Sequence, residues 1–339
     1  MSNMAIYHLA ELIGGIALLV FGAEALVRGA ERIAKAAGVS SFVIGLTVVA
    51  FGTSAPELAG SLGAAFRGDP SLAVANVVGS NIANVCLILG ATALVCPVPV
   101  RVAAVRAEVG VMIGVSVLAV ALMIGGGMHR IEGGVLVALL AAFLVRSYRA
   151  GRASAQGDGA AADRELVEEL DDEVGTAKAG IAVPVLMVFA GLAMLYFGAE
   201  WLVSGATALA EMAGVSTAVI GLSLVAFGTS VPELVLSMIA AFRKKADIAI
   251  GNILGSNIFN LLCVLGFTSL LSPERLPPTE GFWFRDAPVM LVAAVACVPI
   301  ILTGHRVSRI EGGLLLGLYG AYLVTLFLTS QPGAAAAGG

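Results

Sequence analysis

Hydrophobic residues in this chain come in long unbroken runs, not in strict alternation or a narrow helical stripe. Runs of about 20 apolar residues are long enough to cross a hydrocarbon core of about 30 Å as helix. They recur at 8–27, 41–66, 70–96, 105–126, 130–148, 181–203, 216–242, 246–271, 286–303 and 308–329. These ten runs predict ten transmembrane helices, and so an all-α polytopic membrane protein. The first run has no basic leader and carries Glu11 and Glu24, so a cleaved signal peptide is not expected. Composition agrees with the pattern: 59% of the 339 residues are hydrophobic, 12% are charged and the mean hydropathy is +0.98. Soluble domains are about half apolar and about a quarter charged. A soluble globule of this length could not bury so much apolar surface.

The runs repeat. Residues 44–58 read IGLTVVAFGTSAPEL and residues 220–234 read IGLSLVAFGTSVPEL, identical at 12 of 15 positions at an offset of 176. The same offset relates Gly22-Ala23-Glu24 to Gly198-Ala199-Glu200, and NVVGSNIAN at 76–84 to NILGSNIFN at 252–260. Arg130-Ile131-Glu132-Gly133-Gly134 answers Arg309-Ile310-Glu311-Gly312-Gly313 at an offset of 179. Each copy holds five runs, and an odd number makes the second copy enter the membrane from the opposite side. The chain therefore reads as two inverted five-helix repeats, 1–149 and 180–330, joined by an acidic linker at 150–179 and followed by a disordered tail at 331–339. Inverted repeats with interrupted helices are a recurring transporter plan, with substrate bound where the copies meet.

Charge orients the chain. With the N-terminus outside, the inner loops hold Arg28, Arg32, Lys35, Arg101, Arg106, Arg146, Arg149, Arg152, Arg164, Lys178, Arg243, Lys244, Lys245, Arg306 and Arg309. The outer side then holds Arg67, Arg130, Arg275 and Arg285. That bias places both termini outside the cytoplasmic membrane and the central linker in the cytoplasm. The linker's acids lack the glycine and ligand spacing of an EF-hand loop, so it reads as a solvated connector with one short amphipathic helix near 162–172. Cys86, Cys96, Cys263 and Cys297 match no zinc or redox spacing and carry no chemistry. Glu24 and Glu200 read as interfacial anchors at least as well as ion-handling groups, Glu132 and Glu311 as loop-edge contacts, and His8, His129 and His305 as solvated.

The chemistry sits elsewhere. Glu57 and Glu233 lie in the middle of runs two and seven, where an ionisable group is costly unless paired or facing an aqueous cavity. No basic residue in either run lies at that depth to pair with them. Pro56 and Pro232 just before them lack an amide N–H and clash with the preceding turn, freeing carbonyls around Gly52, Thr53, Gly228 and Thr229. Unpaired carbonyls at that depth need a partner, and a cation supplies one. Ala50, Thr53 and Glu57 share a helix face, as do Ala226, Thr229 and Glu233. Asn76, Ser80 and Asn84, then Asn252, Ser256 and Asn260, form polar stripes on runs three and eight, serving as ligands or as interhelical hydrogen bonds. All are hard oxygen donors, which suit Na+ and Ca2+ and disfavour Zn2+ or Cu+.

The paired GTSxPE motifs, Gly52 to Glu57 and Gly228 to Glu233, together with GSNIxN at Gly79 to Asn84 and Gly255 to Asn260, resemble the alpha-repeats of the cation/calcium exchanger superfamily, and especially its prokaryotic sodium/calcium exchangers. The likeness covers nearly the whole chain. It implies ten helices in two inverted repeats, with ion sites lined by helices two, three, seven and eight. By motif position it implies Ca2+ on Glu57 and Glu233 with the Thr53 and Thr229 carbonyls. It further implies Na+ contacts from Ala50, Ser54, Ser80, Ala226, Ser230 and Ser256, with Asn84 and Asn260 lining the central position. Some relatives have Asp where this chain has Asn260, which weakens a case for K+ co-transport and leaves stoichiometry open. The expected activity is Na+/Ca2+ antiport by alternating access, with H+/Ca2+ exchange as the alternative. A channel fits less well, because the symmetry here is internal to one chain. An intramembrane enzyme lacks any HExxH or GxSxG motif or a nucleophile beside a His. The implied partners are the transported Na+ and Ca2+ and the lipid bilayer; no cofactor, nucleic acid or protein partner is implied.

Overall fold

A computed structural model of the chain describes residues 3–155, 181–213 and 228–329. The helices run α1 Asn3–Ala37, α2 Ser41–Phe66, α3 Pro70–Val95, α4 Val102–Leu122, α5 Arg130–Ala155, α6 Ala182–Met212, α7 Val231–Phe242, α8 Ala246–Leu271, α9 Ala287–Gly304 and α10 Arg309–Thr329. Two short strands, β1 Val98–Pro99 and β2 Arg306–Val307, pair antiparallel. Among the described residues nine helices are long and apolar enough to cross a membrane, and α7 is shorter. The part of run seven at 216–227 lies outside the described residues, as do the linker helix near 162–172 and the tail. The protein is an almost entirely helical, multi-pass membrane protein built from two inverted repeats.

Two helices overrun their apolar runs. Helix α1 continues to Ala37 and α6 to Met212, so Arg28, Arg32 and Lys35 lie on a helix and not in a loop. Arg146, Arg149 and Arg152 likewise ride on α5. The cause for α1 and α6 is their partnership. They lie antiparallel with glycines seven apart on both: a Cβ at Gly15 would stand 2.8 Å from the Gly198 carbonyl, and one at Gly22 would stand 2.9 Å from that of Gly191. A seven-residue spacing, close to two turns, keeps one face of each helix on the other. Backbones this close gain dispersion contacts along the whole interface. His8, expected to be solvated, is half-buried, with Nδ1 2.8 Å from the Glu11 carboxylate.

By packing, the chain falls into two units that do not coincide with the sequence repeats. One comprises Met1–Thr53 and Ala141–Asn252, the other Ser54–Leu140 and Ile253–Gly339. The first has a core of Leu19, Leu26, Val49, Leu195, Leu236 and Ile248 where α1, α6, α7 and the start of α8 meet. Its charged rim ties α1 to the α7–α8 turn, Glu24 accepting from Arg243 at 2.9 Å and Glu31 pairing with Lys245. Glu24 also accepts from Arg28 at 2.6 Å, so it is a structural ion-pair partner.

In the second unit α3 packs on α10 through Gly90 and Gly312, and α5 packs on α8 through Gly133 and Gly266. These two crossings are repeat equivalents of each other. The ends are stitched by β1–β2 and by a bridge between Met128 and Leu276. Arg275 donates to the carbonyls of Gly125 at 2.6 Å and Gly127 at 2.8 Å, in a turn whose φ of 91° to 118° only glycine adopts easily. Glu132 accepts from the His129 N–H at 2.9 Å and Glu311 from the Ser308 N–H at 2.7 Å. These carboxylates cap the N-termini of α5 and α10.

Candidate cation site

Proline shapes the site locally. Pro56 and Pro232 stand at the start of the segments Ala55–Phe66 and Val231–Phe242, where a missing N–H breaks no helical bond. Each segment is preceded by a serine that leaves regular helix, Ser54 at φ −85° and ψ 3° and Ser230 at φ −91° and ψ −1°. Both carboxylates thus fall in the first turn of a helical segment deep in the bundle, where N–H groups lack intrahelical partners and favour negative charge. A second irregularity recurs at equivalent places. Helix α3 widens into a π-turn at Ala83–Leu89 and α8 does so at Asn260–Val264, at the positions of Asn84 and Asn260. π-Turns inside α-helices are frequent at functional sites.

The second unit gathers Ser54, Glu57, Ser80, Asn84, Ser256 and Asn260, all buried. The Ala55–Phe66 segment packs on both α3 and the π-turn of α8. Glu57 is 1% exposed, and among the described residues its Oε2 has no hydrogen-bond partner, nor do the buried Ser54 Oγ, Ser256 Oγ and Asn260 Oδ1. These four buried oxygens lie on two converging elements, and carboxylate, amide and hydroxyl oxygens are the donors Ca2+ and Na+ take. Asn76 donates to the Glu57 carbonyl at 3.2 Å and to Ser61 Oγ at 2.9 Å. It holds the helix carrying Glu57 against α3.

The first unit holds Ala50, Thr53, Thr229, Ser230 and Glu233. Ala50, Thr53, Ser230 and Glu233 are buried, Thr229 is half-buried, and Ala226 lies outside the described residues. The segment Ala50–Thr53 packs on α7. Asn252 donates to Ser237 Oγ at 3.3 Å, the repeat equivalent of the Asn76–Ser61 bond. Of the polar stripes, then, Asn76 and Asn252 are interhelical hydrogen bonders. Ser256 and Asn260 keep unshared acceptors.

Among the described residues, four buried amide or acidic side chains escape the sequence reading. Asn81 and Asn257, both 2% exposed, fasten the crossing of α3 and α8, Asn81 donating to the Asn257 carbonyl at 3.3 Å. Their place in the two GSNI motifs was the available signal. Asp286, 6% exposed, accepts from Arg285 Nε at 2.7 Å, Thr279 Oγ1 at 3.0 Å and the Tyr322 hydroxyl at 3.2 Å. Glu108 is 5% exposed on α4, and an acid inside an apolar run was its signal.

Buried hard-oxygen donors at proline-broken helices, in an all-helical membrane protein of inverted repeats, define a cation transporter. The chain belongs to the sodium/calcium exchanger protein family, whose sequence model matches residues 7–149 and 183–328. It is 36% identical over 316 residues to the putative antiporter CaxA of Alkalimonas amylolytica, covering 92% of this chain and 96% of that one. It is 33% identical to the sodium/calcium exchanger MaX1 of Methanosarcina acetivorans, covering 86% and 91%. The solved sodium/calcium exchanger of Methanococcus jannaschii superposes with a TM-score of 0.78 at 30% identity, covering 94% of this chain and 98% of that one. These relatives are transporters, and the family is one of antiporters and not of enzymes.

Proposed function

We propose that this protein exchanges Na+ for Ca2+ across the cytoplasmic membrane by alternating access, with Glu57 and Glu233 as the carboxylate ligands. Thr53, Thr229, Ser54, Ser230, Ala50, Ala226, Ser80, Ser256, Asn84 and Asn260 supply the neutral oxygens. The observation that carries this reading is that, among the described residues, the buried Oε2 of Glu57 and the buried oxygens of Ser54, Ser256 and Asn260 have no hydrogen-bond partner, on segments that pack together. Two carboxylates balance one Ca2+ or two Na+, so either load leaves the membrane interior near neutrality. Leaving both ionised and empty would be costly, which favours exchange over leak. The excess of Lys and Arg on one set of loops supports both termini outside and the linker in the cytoplasm.

The test is Ca2+ uptake into proteoliposomes under an imposed Na+ gradient. Uptake should follow the Na+ gradient and not a pH gradient, and Glu57→Gln or Glu233→Gln should abolish it. Uptake driven equally by a pH gradient without Na+ refutes sodium coupling, and flux that survives both substitutions removes these carboxylates from the site.

A further inference from the structure

Three polar side chains meet in the interior of the first unit: Thr53 at 2% exposure, Asn252 at 0% and Ser237 at 0%. Asn252 Nδ2 donates to Ser237 Oγ at 3.3 Å, which turns the amide oxygen the other way. That oxygen, Oδ1, lies 3.2 Å from Thr53 Oγ1 and accepts from it. The same hydroxyl lies 3.3 Å from the Ala50 carbonyl oxygen, a second acceptor. A threonine hydroxyl has a single hydrogen. It is therefore shared between, or alternates between, the Ala50 carbonyl and the Asn252 amide.

The choice of acceptor matters because the Ala50 carbonyl is one of the oxygens assigned to Na+. A cation on that oxygen takes one of its two lone pairs, and its charge repels the hydroxyl hydrogen. A buried hydroxyl with nowhere to donate would then be left unsatisfied, a full desolvation penalty in a low-dielectric interior. The Asn252 oxygen removes the penalty: the hydrogen swings about the Cβ–Oγ bond and no backbone atom moves. Ser237 Oγ accepts from Nδ2, which leaves Oδ1 facing Thr53.

We propose that Asn252 is a positioning residue for Na+ binding, whose amide oxygen accepts the Thr53 hydroxyl hydrogen when Na+ occupies the Ala50 carbonyl. This rests on Ala50 being a Na+ ligand, as the proposed function has it. Ca2+, assigned to the carboxylates and the threonine carbonyls, does not call on this exchange of acceptors. Asn252 therefore separates the two ions, acting on Na+ and sparing Ca2+.

The experiment measures half-saturation by Na+ and by Ca2+ separately, in proteoliposomes holding the full chain. Asn252→Leu should raise the Na+ value about fivefold to tenfold, the factor that one lost hydrogen bond makes, and move the Ca2+ value less than about twofold. Asn252→Gln, which keeps an amide oxygen able to accept from Thr53, should raise the Na+ value less than Asn252→Leu does. A purely structural role predicts that the Na+ and Ca2+ values shift together. Asn252→Ala replaces Asn252→Leu if the bulkier side chain prevents membrane insertion. Equal shifts for both ions, no shift for Na+, or an Asn252→Gln variant as impaired as Asn252→Leu overturns the proposal. Failure of the underlying reading looks different: the unmodified protein would then show no Na+-driven uptake at all.

Discussion

Asn76 and Asn252 stand at equivalent positions of the two repeats, and each donates to an equivalent serine, Ser61 at 2.9 Å and Ser237 at 3.3 Å. Their second contacts differ. Asn76 holds the Glu57 carbonyl, whereas Asn252 takes the Thr53 hydroxyl. The shared bond belongs to the fold, because two copies of one sequence unit reproduce it in different surroundings. The unshared bond belongs to what each copy does. Glycine packing obeys the same division: Gly22 and Gly198 are repeat equivalents and both press on a partner backbone. The turns before α3 and α8 do not match, for Asp69 caps α3 by accepting from the Leu72 N–H at 3.3 Å while Lys245 pairs with Glu31.

The largest expected effect tests the shared packing. A Cβ on Gly22 would lie 2.8 Å from Met194 Cβ and 2.9 Å from the Gly191 carbonyl, and one on Gly198 would lie 2.9 Å from the Leu19 amide nitrogen and 3.0 Å from the Gly15 carbonyl. Backbone cannot yield as a side chain can. Gly22→Leu and Gly198→Leu should each cost at least the upper end of overpacking, about 3 kcal/mol, and lower thermal stability in detergent by similar amounts. If one is tolerated and the other is not, the two ends of the α1–α6 interface are not equivalent and the comparison fails at its base.

These same particulars show what a sequence reveals. Runs 41–66 and 246–271 coincide with α2 and α8 to the residue, because proline, glycine and charge punctuate both ends. The breaks at Ser54 and Ser230 follow from Pro56 and Pro232, a local steric effect visible in the letters. The length of α1 is not local. Residues 28–37 are polar enough to read as a loop, and antiparallel contact with α6 accompanies their helical continuation. The π-turns at Asn84 and Asn260 have no propensity signal, since any run of apolar residues admits one. Glu57 and Glu233 were legible because charge in hydrocarbon demands a reason. That Thr53 shares its hydroxyl between Ala50 and Asn252 was not, because it depends on an approach of α8 that no spacing within α2 encodes.

A smaller effect tests the shared hydrogen bonds. Ser61→Ala and Ser237→Ala each remove one asparagine–serine contact, and each should cost about 0.5 to 1.5 kcal/mol of stability. Double-mutant cycles pairing Ser61→Ala with Asn76→Ala, and Ser237→Ala with Asn252→Ala, should return couplings within about 0.5 kcal/mol of each other. A large coupling on one side alone would move that bond out of the fold and into the mechanism.

The smallest effect comes from the turns that differ, and it is the sharpest test of whether their difference is functional. Lys245→Asp copies into the second repeat what the first has at position 69. It breaks the pair with Glu31, whose side chains keep 23% and 33% of their exposure, and pairs so exposed are worth at most about 1 kcal/mol. It also offers a carboxylate to the Ile248 N–H, the equivalent of Leu72, and a new N-cap returns about 1 kcal/mol. The two nearly cancel, so thermal stability should change by no more than about 3 °C. Glu31 is then left near a like charge, and adding Glu31→Lys should recover any residual loss. A drop in stability several times larger would mean that the pair holds α1 to the α7–α8 turn more firmly than exposed charges can. Salt should then fail to reproduce that drop, because screening weakens exposed pairs and spares buried ones.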